Sequence, residues 1–230
     1  LKKNKIVLFT GTPCQIAGLK TYLQKDYEHL YLVDVVCHGA PSPKVFREYI
    51  EELSTLNETE IKDIYFRDKR SGWVNANIAI NFKNGKDIVI PIRDNIYHKG
   101  FIGHLYLRPS CHNCNFNYFK SGSDITIGDF WGIKDSNPEF YDDKGVSLVI
   151  VKTDIGQKIF KKISDNLDII KSGFNEAINA NPHICISAKP HMNRHKFFNQ
   201  LNKKNSTISK IIQSNLSNYD LTNKGIKFGI

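Results

Sequence analysis

What the chain has little of narrows its class first. No run of about 18 apolar residues occurs, so no transmembrane helix is expected. The apolar stretch behind Lys2, Lys3 and Lys5 is far too short for a signal peptide, and a cytoplasmic location is expected. Cysteines number five, an odd count that argues against a disulfide framework; in a reducing compartment they serve as ligands, catalysts or core fillers. Glycine, at 15 of 230 residues, and proline, at eight, are too sparse for a collagenous or low-complexity chain. The chain opens on Leu1 and its one methionine is Met192, so an incomplete fragment of a longer protein is expected. Acidic side chains are scarce towards one end. Residues 1–150 hold 19 basic and 18 acidic side chains and residues 151–230 hold 13 and 5, so the net charge of +9 belongs almost wholly to the C-terminal part.

The composition that remains, 40% hydrophobic and 24% charged, is that of an ordinary globular protein. Residues 5–9 form a short β-branched run ending in Thr10-Gly11-Thr12-Pro13, after which Gln15 to Leu23 has helical spacing. Thr12 suits the N-cap, Pro13 the first helical position, and Gln15 completes a capping-box pattern. Cys14 therefore falls in the first helical turn, where unpaired N–H groups and the positive helix end favour a thiolate. Leu30 to Val36, the loop Cys37-His38-Gly39-Ala40-Pro41 and a helix from Ser42-Pro43 to about Leu53 repeat the arrangement. Two such units predict a parallel βαβ start with Cys14 and Cys37 beyond the carboxyl ends of its strands, where functional groups gather in open sheets.

Farther on, residues 61–67 read as a strand, and residues 74–82 and 87–92 as a hairpin turning at Asn84-Gly85. Residues 94–107 have helical spacing and lead into the C-x-x-C pair Cys111 and Cys114. Short strands follow at 124–127 and 146–152, then an amphipathic helix from Asp154 to about Leu167 and short helical patterns around Phe197 and Ile211. The expected fold is α/β: a mixed sheet with a parallel βαβ start and an antiparallel hairpin, helices on its faces, and a basic helical C-terminal appendage. Residues 1–188 are expected to form the main domain and 189–230 the tail.

One C-x-x-C pair is ambiguous by itself. A structural zinc site usually adds a second pair, which is lacking here, and a thioredoxin-type pair would open a helix after a strand. Cys14, Cys37, Cys111 and Cys114 together make the four-thiolate set of a cubane iron–sulfur cluster; buried core cysteines with an incidental pair are the competing reading. The strings FTGTPCQIAGLK, DVVCHGAPSP, FRDKRSGW, LYLRPSCHNC, SDITIGDFWGI and KGVSLVIV, in order from Phe9 to Val151, resemble the C-terminal domain of the coenzyme F-420 hydrogenase/dehydrogenase beta-subunit family.

That resemblance implies an oxidoreductase, an iron–sulfur flavoprotein that passes electrons between a hydride carrier, FAD and a 4Fe-4S cluster. It implies cluster ligands at Cys14, Cys37, Cys111 and Cys114, and leaves Cys185 as a buried thiol. Many full-length members carry a ferredoxin-like segment and a Ser-Gly-Gly-rich segment associated with flavin binding ahead of this region, and neither is present here. FAD binding is therefore expected to need residues upstream, and a redox partner protein or ferredoxin-like domain is the expected partner. Members also occur in polysaccharide-synthesis contexts, so a non-redox scaffold module is a rival function. A zinc-stabilised domain that binds nucleic acid through its basic tail is a second, with nucleic acid the least expected partner.

Further candidates come from the residues. Thr10, Gly11 and Thr12 at a helix start offer backbone donors to a phosphate or ring carbonyl, against a plain tight turn. Arg67, Lys69 and Arg70 suit an anionic cofactor and Trp73 a stacked ring, against a solvated hairpin shoulder. Asp129, in the Gly-Asp-Phe-Trp-Gly loop, stands where glycines permit close approach of a ligand or cluster. His38 beside Cys37 is the candidate proton relay or tuner, against an ordinary loop histidine.

Overall fold

A computed structural model of the chain describes residues 5–203 and 205–216. In order, the elements begin with strand β1 (Val7–Gly11), helix α1 (Pro13–Leu23), β2 (Leu30–Val35), α2 (Pro43–Leu56), β3 (Ile61–Asp68), β4 (Asn77–Phe82), β5 (Asp87–Pro91) and α3 (Ile96–Ile102). They continue with β6 (Ile125–Asp129), α4 (Ile133–Ser136), β7 (Ser147–Val151), α5 (Asp154–Ile163), α6 (Phe174–Ala180), α7 (Arg194–Lys203) and α8 (Ile208–Asn215). Among the described residues no helix is long and apolar enough to cross a membrane.

The chain divides into two compact units. The first takes the described residues up to His38 together with Asn113–Ser187; the second takes Gly39–His112 and the described residues from Ala188 onward.

The first unit is built on a four-stranded sheet in the order β1-β2-β6-β7. β1 and β2 run parallel, β2 and β6 run parallel, and β7 returns antiparallel to β6. This is the α/β architecture the strand-loop-helix repeats predict. Val7, Phe9, Leu30 and Leu32 alternate onto one face and meet Ile16, Leu19 and Leu23 of α1, which sit on one side of the helix. Leu8, Val35, Ile127 and Val149 lie on the other face and are exposed.

The second unit holds a three-stranded antiparallel sheet, β3-β4-β5. The expected hairpin is there, in a sheet of its own. Phe82 and Lys86 are bonded across the turn (2.9 Å), and Gly85 takes φ +87°, a left-handed conformation that glycine adopts without steric cost. Ile78, Ile80 and Phe82 of β4 pack with Leu53 of α2. A separate core gathers Val45 and Tyr49 of α2, Tyr97 of α3, Tyr106, and Phe197, Leu201, Ile208, Ile211 and Ile212 of α7 and α8. The basic C-terminal segment therefore has two faces: Lys196, Lys203 and Lys210 are exposed and the apolar stripe is core.

Helix α3 ends at Ile102, five residues short of the span its spacing predicts. Gly103 is the cap and His104 adopts φ +60°, with His104 N–H on Phe101 O (3.0 Å) and Leu105 N–H on Gly100 O (3.0 Å). This is a Schellman stop with histidine where glycine is usual, and it frees Leu105, Tyr106 and Leu107 to run extended into the core.

Candidate functional site

In the first unit, β1 ends at Gly11 and α1 starts at Pro13, with Thr12 between them in extended conformation. Thr12 N–H donates to Gln15 Oε1 (2.8 Å), the reach-back bond of the capping box the sequence predicts, and the Thr12 carbonyl accepts from Gln15 N–H (2.9 Å). One backbone donor offered to a phosphate is thereby taken. A Cβ on Gly11 would stand 2.9 Å from Gln15 Oε1, so glycine is what lets this side chain fold back. Cys14 follows in the first turn, exposed, its sulfur 3.2 Å from Thr12 Oγ1.

The β2–β6 ladder continues one residue past β2, with Val36 N–H on Ile127 O (2.8 Å), and Cys37 is the next residue. It is half-buried. His38 packs edge-on against His183, ring centroids 4.4 Å apart at 83°. Burial pushes the His183 pKa down, and its Nδ1 lies 3.3 Å from Ile186 O. Cys114 is held by its own N–H on Ser187 Oγ (3.0 Å), and its sulfur accepts from Phe116 N–H (3.5 Å). Asp129 ends β6 opposite Ser147, and its carbonyl accepts from Asn181 Nδ2 (3.0 Å).

In the second unit, Gly39 to Ser42 runs antiparallel to Tyr106 to Arg108: Ser42 N–H donates to Tyr106 O and Arg108 N–H to Ala40 O, each at 2.8 Å. Gly39 has φ +138°, and a Cβ there would stand 2.9 Å from Leu107 Cδ1. The close pairing brings Ala40 N–H to 3.3 Å from Cys111 Sγ. His112 Nδ1 faces Ala188 O at 2.8 Å, so that nitrogen carries the proton. Its Nε2 is buried and has no hydrogen-bond partner among the described residues. Arg194 of α7 donates to Leu105 O (3.2 Å) and lies over Phe198; burial lowers its pKa and the nearby Cys111 sulfur opposes that.

The remaining candidates of this unit are differently employed. Arg70 forms a two-pronged pair with Asp68, Nε to Oδ1 and Nη2 to Oδ2, both 2.8 Å. That bonding holds the Asp68 carboxyl below its usual range, so an anionic ligand would have to displace Asp68 from the Arg70 fork. Arg67 lies close enough to His98 to lower its pKa. Lys69 is exposed and its carbonyl accepts Gly72 N–H (2.9 Å). Trp73 is 2% exposed, so its ring is a packing element and presents no face for stacking a cofactor.

Sequence reasoning missed a buried polar network in the first unit. Asp34, 2% exposed in β2, accepts from Ser121 Oγ (2.5 Å) on Oδ2 and from Thr126 Oγ1 (2.6 Å) on Oδ1. Lys152 Nζ is 3.7 Å from Asp34 Oδ1 and donates to Ser123 Oγ. Burial lowers the Lys152 pKa and Asp34 opposes the shift. The available signal is a lone charge inside the apolar run Leu30 to Val36, on the buried side of its alternation.

None of the five cysteines is in a disulfide. Sulfurs of Cys111 and Cys114 that accept backbone N–H bonds suit thiolates, and His112 Nε2, buried with no hydrogen-bond partner among the described residues, suits a bound polar group; hydrogen bonds to sulfur are one means by which proteins set cluster potentials. The donor set therefore fits an iron–sulfur cluster.

Together these features define a mixed α/β protein with thiols set beyond the carboxyl ends of parallel strands. The chain belongs to the family described as the C terminus of the coenzyme F420 hydrogenase/dehydrogenase beta subunit, whose profile matches residues 4–176. The family is that of a redox-enzyme subunit, which makes oxidoreductase the class of this chain. A comparison with curated proteins gave no match. Helices α7 and α8, and with them Arg194, lie beyond the matched region.

Proposed function

We propose that this chain is the cluster-bearing part of an iron–sulfur flavoprotein, with Cys14, Cys37, Cys111 and Cys114 as the ligands of a 4Fe-4S cluster and FAD as the second cofactor. When bound, the two groups interconvert hydride transfer, which moves electrons in pairs, with single-electron steps. The observation that carries the reading is the state of the thiols: all four are outside disulfides, Cys111 and Cys114 take backbone N–H donors on sulfur, and Cys14 stands in the first turn of a helix. Cys185 has its thiol pushed up by burial, as suits a packing residue.

In this reading Thr10, Gly11 and Asp129 take part in binding the flavin, and Thr12, whose N–H is engaged by Gln15, holds the helix start in place. Arg67 and Lys69 supply positive charge to an anionic cofactor or substrate, and Arg70 joins them when it releases Asp68. His38 relays a proton. The partners are a redox protein or ferredoxin-like domain and a small hydride carrier, and the setting is the cytoplasm.

Anaerobic purification of the whole chain, with iron, sulfide and zinc determined, tests this. About four irons per chain with visible absorbance is the expected result. Single changes to serine at Cys14, Cys37, Cys111 or Cys114 should each abolish that absorbance and Cys185→Ser should leave it. Colourless protein without iron overturns the reading, and one zinc per chain supports the zinc-stabilised alternative.

A further inference from the structure

The proposed function has no use for the buried charges of the first unit, yet they join two segments that carry its ligands. Asp34 stands in β2, three residues before Cys37, which follows the end of that strand. Ser121 stands seven residues after Cys114, at the far end of the segment that starts there. The bond from Ser121 Oγ to Asp34 Oδ2 (2.5 Å) ties the two together, and both side chains are almost wholly buried, at 3% and 2% exposure. The other carboxylate oxygen is held by Thr126 of β6 and lies near Lys152, which follows β7, so Asp34 is fixed from three directions.

The segment between Cys114 and Ser121 needs such an anchor. Its near end is secured by Cys114 N–H and Asn117 Nδ2 on Ser187 Oγ (3.0 and 3.2 Å) and by Tyr118 N–H on Ile184 O (2.6 Å). Tyr118 and Phe119 then follow with φ of +53° and +61°, consecutive non-glycine residues in the left-handed region. Backbone in that state persists only where flanking contacts over-determine it. Well-packed apolar residues often replace buried ion pairs without loss of stability; what a carboxylate adds is direction, with Ser121 on one oxygen and Thr126 and Lys152 on the other.

We propose that Asp34 is a positioning residue: clamped by Ser121, Thr126 and Lys152, it fixes the strand end that leads to Cys37 and the segment that leads from Cys114 in a single arrangement. It acts through the backbone. The proposal rests on the reading of Cys37 and Cys114 as cluster ligands.

The test compares the full chain with Ser121→Ala, Ser121→Thr and Asp34→Asn. In metal-free, reduced protein, amide exchange over residues 114–121 should be at least about tenfold faster in Ser121→Ala, with the amides of β4 unchanged and the wild-type rates restored by Ser121→Thr. After loading with iron and sulfide, Ser121→Ala and Asp34→Asn should lose cluster absorbance in air at least about tenfold faster than wild type and shift its midpoint potential, again with Ser121→Thr as the rescue. Should Ser121→Ala fail to fold, Ser121→Cys, nearly isosteric and a poorer donor, takes its place in the exchange measurement. Unchanged exchange, lifetime and potential overturn the clamp. If wild type binds no iron while exchange responds as expected, the clamp stands and the cluster reading fails; if wild type binds iron and nothing responds, the clamp alone fails.

Discussion

Replacing His98 with glutamine should flatten the acid limb of the chain's stability curve. His98 lies in α3, its backbone N–H capped by Asn95 Oδ1 (3.0 Å), and its pKa is lowered from 6.5 to about 4, chiefly by burial and secondarily by the Arg67 guanidinium. The unfolded chain takes up a proton on this residue as pH falls below 6.5, whereas the folded chain resists until about 4. The stability tied to neutral His98 is therefore fully present above 6.5 and is lost as pH falls towards 4. At about 1.4 kcal/mol per pKa unit, and with a discount because the ring is only partly buried, roughly 2–3 kcal/mol disappears across that window. Urea unfolding at pH 7 and pH 4.5 measures it: wild type should lose about that much more than His98→Gln over the same interval. Equal losses in the two proteins refute the reasoning. Arg67 ties this measurement to function, because an anion bound at its guanidinium would raise the His98 pKa. Titration of the His98 ring by NMR with and without added FAD or phosphate should show that rise; an unmoved titration removes Arg67 from the cofactor-binding residues.

Three further outcomes are expected. Gly100→Ala places a methyl 2.5 Å from Tyr106 Cε1 and 3.0 Å from Ile212 Cγ2, in a core where the Tyr106 hydroxyl is already bonded to Tyr97 O, and thermal or urea unfolding should show a loss of about 1–3 kcal/mol. Gly11→Ala pushes Gln15 out of the capping box and should cost about 1 kcal/mol, with faster amide exchange in the first turn of α1 and with Gln15→Ala reproducing the loss. Asp34→Asn removes the carboxylate paired with Lys152 at 3.7 Å and leaves it only the weaker pull of Asp124, and should cost about 2–3 kcal/mol, whereas the double change with Lys152→Met should cost less than the separate losses combined by at least about 1 kcal/mol; additive losses would show that the 3.7 Å pair is not coupled.

The features legible in the sequence are those carried by neighbouring residues. Thr12, Pro13 and Gln15 spell a helix start within four positions, and the structure puts the helix and its capping box there. Asn84-Gly85 marks the hairpin in the same local way. The end of α3 escapes because its stop uses His104 in the left-handed conformation, and a residue's willingness to adopt that conformation is visible in advance mainly for glycine and asparagine. Arg67, Lys69 and Arg70 make Trp73 look like a stacking platform, but burial is decided by the fold around a residue and not by the charges beside it. Asp34 is hidden for a related reason: its partners Ser121, Thr126 and Lys152 lie 87 or more positions away, and only the strand order β1-β2-β6-β7 brings them together.

The same distinction applies to the basic C-terminal helices. A surplus of lysine reads as a solvated tail, and by charge alone it suggests an anionic partner. Yet Phe197, Leu201, Ile208, Ile211 and Ile212 recur at helical intervals among those lysines and bury themselves with Val45, Tyr49 and Tyr106. Asn215 is fully buried, and Ser209 N–H reaches Glu52 Oε2 at 2.8 Å, so α8 is bonded to α2 as well as packed on it. Arg194 at the start of α7 ties the region to the backbone of Leu105, on the strand-like stretch whose partner segment supplies the Ala40 N–H to Cys111. Helices beyond the matched family region thus help shape the surroundings of a proposed ligand. The lysines keep the outer face of these helices in water while the inner face packs into the core.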